Sequence, residues 1–259
     1  MHFSVVDSTN DLALEAAQTG ARHGVWIADE QTAGRGRGNH TWHSEPDHGL
    51  YMSALISPPV PVQNALRLSL RTALAVQSAI ASVTGLRVLE DIDIRWPNDL
   101  LIHGRKCGGI LIETSAQPAL AKGPSMLRHA VVGIGINCNH MSFPPEIDSL
   151  ATSIRRELPD ARRPICREPL VAAILIALDA EIRLMIRGWR GTDNTTHRKI
   201  SEFSSWFYGK RVRVEGREGQ PGGYTGVTDG IDSNGFLRVV GDDGLVHTVL
   251  SGGVRAYEG

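Results

Sequence analysis

A chain of 259 residues is long enough for one large domain, or a large and a small one. Its 41% hydrophobic and 21% charged residues exclude a disordered chain, and a net charge of -1 supplies no field to draw it onto nucleic acid or an anionic membrane. Cys107, Cys138 and Cys166 are far apart and form no CxxC pair, so they read as reduced, buried side chains of a cytoplasmic protein. No signal-peptide pattern is present, and the longest apolar run, Leu170 to Leu178, is too short to span a bilayer.

In chain order, Ser8 followed by Asp11 approaches a capping box and predicts a helix with Leu12, Ala13, Ala16 and Ala17 on one face and Gly20 as its stop. "GVWIAD" predicts a strand into a Gly/Arg loop, and "GLYMSALISP" a strand out of it. A long helix is expected from about Gln63 to Val83, with Leu66, Leu70, Ala73, Leu74 and Ala81 inward. Short strands follow in "IDIRW", "PNDLLI", "KCGGILIE" and "HAVVGIGINCN". Residues 140–166 read as irregular surface, and "EPLVAAILIALDAEIRLMIRGW" as a second long helix. Beyond Gly191, short alternating strands broken at Ser233-Asn234-Gly235 and Asp242-Asp243-Gly244 predict a small β-barrel, with the boundary near residues 191–208.

Three stretches carry candidate chemistry. In "QTAGRGRGNHTW" the glycine-flanked amides can form an anion nest, Arg35 and Arg37 can fork onto carboxylate or phosphate, and Trp42 can cover an apolar ligand. The same spacing also suits a solvated turn or an RNA-binding Arg-Gly tract, although the tract occurs once and in neutral company. In "RWPNDLLIHGRKCGG" a turn at His103-Gly104 folds the chain back so that Lys106 returns to Asp99, either as a cation for a reacting phosphate or as an edge salt bridge. In "GIGIN" Gly133 and Gly135 clear one face of a strand for a flat ligand or a close backbone, and Asn137 ends it. His40, His43 and His48 are near one another in sequence, as are Cys138 and His140, but neither set has zinc spacing. There is no P-loop, no GxSxG elbow and no triad order.

"STN" (8–10), "QTAGRGRG…W" (31–42), "GLYMS" (49–53), "RWPNDLLI" (95–102), "RKCGGILIE" (105–113) and "GIGINCN" (133–139) occur in register. Together with "ATSI" (151–154) and the C-terminal "GKRVRV…GGV", they resemble the biotin protein ligases essentially end to end. The resemblance implies an α+β fold: a central mixed β-sheet with flanking helices over residues 1–200, then a small SH3-like β-barrel over 201–259. It implies that biotin and ATP, with Mg²⁺ carried on the ATP phosphates, form biotinyl-5′-adenylate. The biotinyl group then passes to one lysine of a biotin carboxyl carrier domain.

By the same resemblance, biotin would be bound by Ser8, Thr9, Asn10, Gln31, Gly34, Arg35, Lys106, Gly109, Gly133 and Gly135. ATP or the adenylate would meet Arg37, Trp42, Asn98, Lys106 and Asn137. Lys106, Arg35 and Arg37 would offset charge as carboxylate approaches phosphate, and Asp99 is the candidate to orient or deprotonate the acceptor lysine. The first motif begins at Ser8, which leaves no helix-turn-helix ahead of it, so no DNA partner is expected; a homodimer stays open. Two rivals stand beside this reading: a lipoate or octanoate ligase, and a non-catalytic biotin or adenylate sensor.

Overall fold

The computed structural model describes residues 1–38, 40–118, 123–190, 202–215, 223–250 and 252–257. The expected linker from residue 191 to 201, with the boundary at 200/201, and Asn39 of the Gly/Arg loop lie outside the described residues.

Strand β1 (His2–Val6) leads into helix α1 (Thr9–Gln18), then β2 (Gly24–Gln31) and β3 (Gly49–Ile56). A 3₁₀ turn (Val62–Asn64) opens α2 (Ala65–Thr84), two residues later than the periodicity predicts. Four strands follow: β4 (Ile92–Arg95), β5 (Asp99–Ile102), β6 (Arg105–Ala116) and β7 (Leu127–Asn137). The sheet order is β1-β2-β3-β7-β6-β5-β4, antiparallel throughout except for the parallel β1–β2 pair, so the sheet is mixed. Strand β1 is not anticipated by the sequence reading, because "HFSVV" is a short, largely exposed edge without a turn signal.

Side-chain alternation divides the sheet into two faces. Leu50, Met52 and Ala54 of β3, with Ala130, Val132, Ile134 and Ile136 of β7, join α2 and α5 (Arg167–Arg190) in the main core. Leu55 and Val131 face the other way and pack on Ala13 and Ala17 of α1. Helix α2 lies between the sheet and α5, so its buried surface exceeds one stripe and includes polar groups that need partners. Buried Arg71 meets Glu181 of α5 at 2.5 Å, and the Gln77 amide donates to the carbonyls of Ile92 and Phe203 at 3.0 Å.

Residues 140–166 are more ordered than expected. They hold two single-turn helices, α3 (Pro145–Asp148) and α4 (Ile154–Glu157), the second capped by the Ser153 hydroxyl, which accepts from the Arg156 amide. Cys166 is exposed, contrary to the expectation that all three cysteines are buried, because it precedes the first turn of α5 and donates to Glu168.

The C-terminal strands β8 (Tyr208–Val214), β9 (Tyr224–Ile231), β10 (Leu237–Gly241), β11 (Val246–Val249) and β12 (Val254–Ala256) form an antiparallel sheet in the order β11-β10-β9-β8-β12. Gly235 and Gly244 take positive φ at the two predicted turns. This unit is tied to the main sheet: the Trp96 indole donates to the Gly235 carbonyl at 3.0 Å, and the Ser204 hydroxyl to the Ile94 carbonyl at 2.6 Å. Among the described residues no helix is long and apolar enough to cross a membrane.

Candidate functional site

The α1 face of the sheet is only partly covered by α1, and register determines what the uncovered part presents. Tyr51, Gly135, Gly109 and Asp99 form one cross-strand row, and Ser53, Gly133 and Leu111 the next. Two adjacent glycines thus leave a floor without side chains beside a polar wall. A cavity of about 860 Å³ opens over this floor, within the size range of small-molecule sites.

At one end the N-terminus of α1 supplies the polar wall. The Thr9 amide donates to Gln31 Oε1 at 2.9 Å, the Thr9 and Ser53 hydroxyls are 2.7 Å apart, and Ser53 donates to Asn10 Oδ1 at 2.5 Å. Gln31 continues the chain to Ser44 at 3.1 Å. Ser8 is the N-cap by backbone geometry, but its side chain makes no capping bond and Asp11 pairs with Arg35 instead, so the capping box is not formed. The local sequence is used to build the pocket rather than to close the helix end.

At the other end stands Lys106. His103 and Gly104 both have positive φ, which folds β6 back on β5 through a two-residue turn. The register then slips: Leu101 faces Lys106 while Leu100 faces Gly108, so Cys107 has no opposite residue. This bulge turns Lys106 to the face of Asp99 and Gly109, where regular alternation would turn it away. Lys106 Nζ lies 2.5 Å from Asp99 Oδ1, and Arg95 holds Asp99 Oδ2 at 2.7 Å. Burial alone would raise the Asp99 carboxyl, but Lys106 and Arg95 outweigh it and hold it below the usual carboxylate range. Asp99 is therefore an ionised anchor for two cations.

The Gly/Arg loop returns on itself. The Trp42 amide donates to the Gly34 carbonyl at 2.8 Å, and the Gly36 amide to the His40 carbonyl at 2.7 Å. Arg35 forks onto both oxygens of Glu113 at 3.0 and 2.7 Å and meets Asp11 at 2.6 Å. Glu113 also accepts from the Asn10 amide at 2.7 Å, so one carboxylate joins the loop to the polar wall. Arg37 lines the cavity and has no hydrogen-bonded or ion-paired partner among the described residues. Crowding by protein depresses its guanidinium, with the charge of Asp99 opposing, and it remains a cation at physiological pH. Trp42 lies on the glycine floor: a Cβ at Gly135 would come within 2.7 Å of the indole, and one at Gly109 within 3.1 Å. Lys106 Nζ is 5.4 Å from the centre of the same ring.

Of the residues singled out from sequence, Ser8, Thr9, Asn10, Gln31, Arg35, Arg37, Trp42, Asn98, Asp99, Lys106, Gly109, Gly133, Gly135 and Asn137 all line this cavity. Gly34 does not; a Cβ there would meet Ser44 Oγ at 2.6 Å, so it is required for packing beneath the loop. Asn98 and Asn137 donate their side-chain amides to the carbonyls of Ile110 and Thr152, which ties the edges of the site together. Sequence reading missed Asp11, Ser53, Arg95 and Glu113 as site residues. For Glu113 the signal was present: it is an acid closing an apolar strand, "GGILIE". It also missed the C-terminal wall, where Gly252, Gly253 and Arg255 reach the cavity and Arg255 pairs with Glu215 at 2.6 Å. Among the described residues, the carboxylates on the cavity wall are Asp99 and Glu215, and both are engaged by cations. This donor set fits a divalent ion carried on phosphates rather than one held by protein oxygens.

Comparison with known proteins agrees with this geometry. Residues 2–137 match the family model described as Biotin/lipoate A/B protein ligase family. The chain is 33% identical over 245 residues to the bifunctional ligase/repressor BirA of Bacillus spizizenii, covering 93% of this chain and 69% of that one. It is 34% identical over 240 residues to the biotin–[acetyl-CoA-carboxylase] ligase of Mycobacterium tuberculosis, covering 89% and 79%. The solved biotin protein ligase from Aquifex aeolicus in complex with biotin and ATP superposes with a TM-score of 0.78 at 26% identity, covering 99% of this chain and 98% of that one. With a family model matched over more than half of its residues and relatives one-third identical across most of their length, the chain belongs to the biotin/lipoate A/B protein ligase family.

Proposed function

We propose that this chain activates biotin with ATP as biotinyl-5′-adenylate and transfers the biotinyl group to one lysine of a biotin carboxyl carrier domain. The observation that carries the reading is the polarity of one continuous cavity. A neutral hydrogen-bonding wall of Thr9, Asn10, Gln31 and Ser53 suits a ureido group, and a side-chain-free floor under Trp42 suits an apolar ring and chain. Lys106, with Arg37 unpaired among the described residues, suits carboxylate and phosphate at the far end. The two cations oppose the repulsion as a biotin carboxylate oxygen forms its bond to the α-phosphorus and pyrophosphate leaves. In the second step the neutral acceptor amine forms an amide at the acyl carbon, AMP departs with the bonding pair, and the proton lost from the amine nitrogen passes to solvent. Mg²⁺, when bound, would arrive on the ATP phosphates and supply further charge neutralisation. We assign residues 1–200 to the catalytic unit and 201–259 to a second unit that completes one wall of the cavity, in a cytoplasmic enzyme.

Incubation with ATP, Mg²⁺, biotin and a carrier domain, read by mass spectrometry, tests this. The expected result is one biotinyl adduct on one carrier lysine, lost in Lys106→Ala. An adduct from octanoate or lipoate but none from biotin would overturn the substrate assignment, and no adduct from any of the three would overturn the reaction.

A further inference from the structure

At the edge of the cavity, where His43 and Phe143 are part of its lining, four aromatic rings gather that the ligase reading does not use. His140, in the segment after β7, is 0% exposed. Its ring stacks on Phe143 at 5.1 Å, and its carbonyl accepts from the Ser153 hydroxyl at 2.6 Å, so ring and backbone are both held. The rings of His43 and His48 stand 5.8 and 5.7 Å away.

The contact with Tyr51 favours one tautomer of this ring. Tyr51 donates its hydroxyl to the Glu45 carbonyl at 3.0 Å, which leaves the oxygen as an acceptor toward His140 Nε2 at 3.5 Å. Burial raises the Tyr51 hydroxyl far above its ordinary value, so it keeps its proton and this polarity. This polarity suits the tautomer with the hydrogen on Nε2 and a bare lone pair on Nδ1. That Nδ1 is buried without any hydrogen-bond partner among the described residues. A buried acceptor left bare is costly in an ordinary core, and a ring whose other nitrogen is held by a neighbour is the arrangement of a metal-ligating histidine.

From the segment after Trp42, His43 and Glu45 complete the set. One ligand atom from each of His43, Glu45 and His140 lies within 4.8 Å of the other two, and His43 Nε2 is 4.0 Å from Glu45 Oε2. We infer that His43, Glu45 and His140 form a binding site for a divalent transition-metal ion of the zinc class. Two imidazoles and one carboxylate suit zinc, cobalt or nickel, whereas magnesium takes oxygen ligands, so this site is separate from an ion carried by ATP. Bonds of roughly 2.0–2.1 Å place tetrahedral ligand atoms about 3.3 Å apart, so the part-exposed His43 and Glu45 side chains close inward onto a fixed His140. A bound ion would tether the residue next to Trp42 to the end of β7.

The test is calorimetric titration of the whole chain with Zn²⁺ alone, in a Cys166→Ser background that removes the exposed thiol. One saturable equivalent is expected, weakened at least tenfold in His43→Ala and in Glu45→Gln. Both are surface substitutions, and thermal melts verify that they fold. Absence of saturable one-equivalent binding, or less than tenfold weakening in either variant, overturns the site. The measurement needs neither biotin nor ATP, so its outcome is independent of the proposed ligase reaction.

Discussion

Lys106 Nζ and Asp99 Oδ1 lie 2.5 Å apart across a hairpin whose register slips by one residue at Cys107. That slip, rather than the turn alone, brings the lysine to the ligand face. Asp99 also carries Arg95, so its charge positions two cations. Asp99→Asn is expected to slow pyrophosphate release from ATP plus biotin at least tenfold, about 1.4 kcal/mol in barrier. Transfer from preformed biotinyl-adenylate should change less than about threefold. A loss concentrated in the transfer step would assign Asp99 to that step as its base.

Gly133 is required by its neighbour. A Cβ there would stand 2.3 Å from Asn10 Oδ1, the acceptor of the Ser53 hydroxyl. Gly133→Ala should displace Asn10 and weaken biotin binding at least tenfold, about 1.4 kcal/mol. Titration calorimetry with biotin reads this directly, and an unchanged Kd would remove the Asn10 network from the ligand site.

Glu113 holds the Gly/Arg loop through a two-point contact with Arg35. Glu113→Gln removes the charge and one acceptor, so amides of residues 34–38 should exchange faster in the free protein. In the unaltered chain, residues 34–41 should become protected when biotin and ATP are added together, because closure orders about ten backbone residues at a cost near 10 kcal/mol that a large, charged ligand can offset. Equal hydrogen exchange with and without ligand would show that the ligand does not order this loop.

Arg71 is buried between α2 and α5 and bonds both the side chain and the carbonyl of Glu181. Removal of the carboxylate takes one anionic partner from a buried guanidinium, so Glu181→Ala is expected to lower stability by about 1–3 kcal/mol. Urea unfolding measures this; a change under about 0.5 kcal/mol would mean that Arg71 finds compensation elsewhere.

His103, at the β5–β6 turn, donates to Glu157 at 2.7 Å and meets Asp91 at 3.3 Å. The bond to Glu157 raises its pKa above 6.5, and burial only partly opposes this. A raised folded pKa gives stability that is complete below the unfolded value and is lost as pH rises through the folded one. The side chain is 45% exposed, so the screened contribution is a few tenths of a kcal/mol up to about 1 kcal/mol. The urea midpoint should fall as pH rises above about 6.5, and less steeply in His103→Gln. Parallel pH profiles would show that this pair carries none of the dependence.

Local signals sufficed for much of this protein. The glycines of "GIGIN", the His103-Gly104 turn and the apolar periods of both long helices act over a few residues, so most of the elements were legible from the chain, and part of the cavity lining with them. Other features depended on residues far apart in sequence. The pairing of Arg35 with Glu113 spans 78 positions, and the C-terminal wall meets the cavity only through folding. The bulge at Cys107 is a property of how two strands pair, which neither strand records by itself. The histidines show the division most clearly. His43 and His140 lack metal spacing along the chain, yet β3 and β7 pair side by side and bring them together around Tyr51. Sequence determines which donors exist; the register of a sheet decides which of them can share one ion.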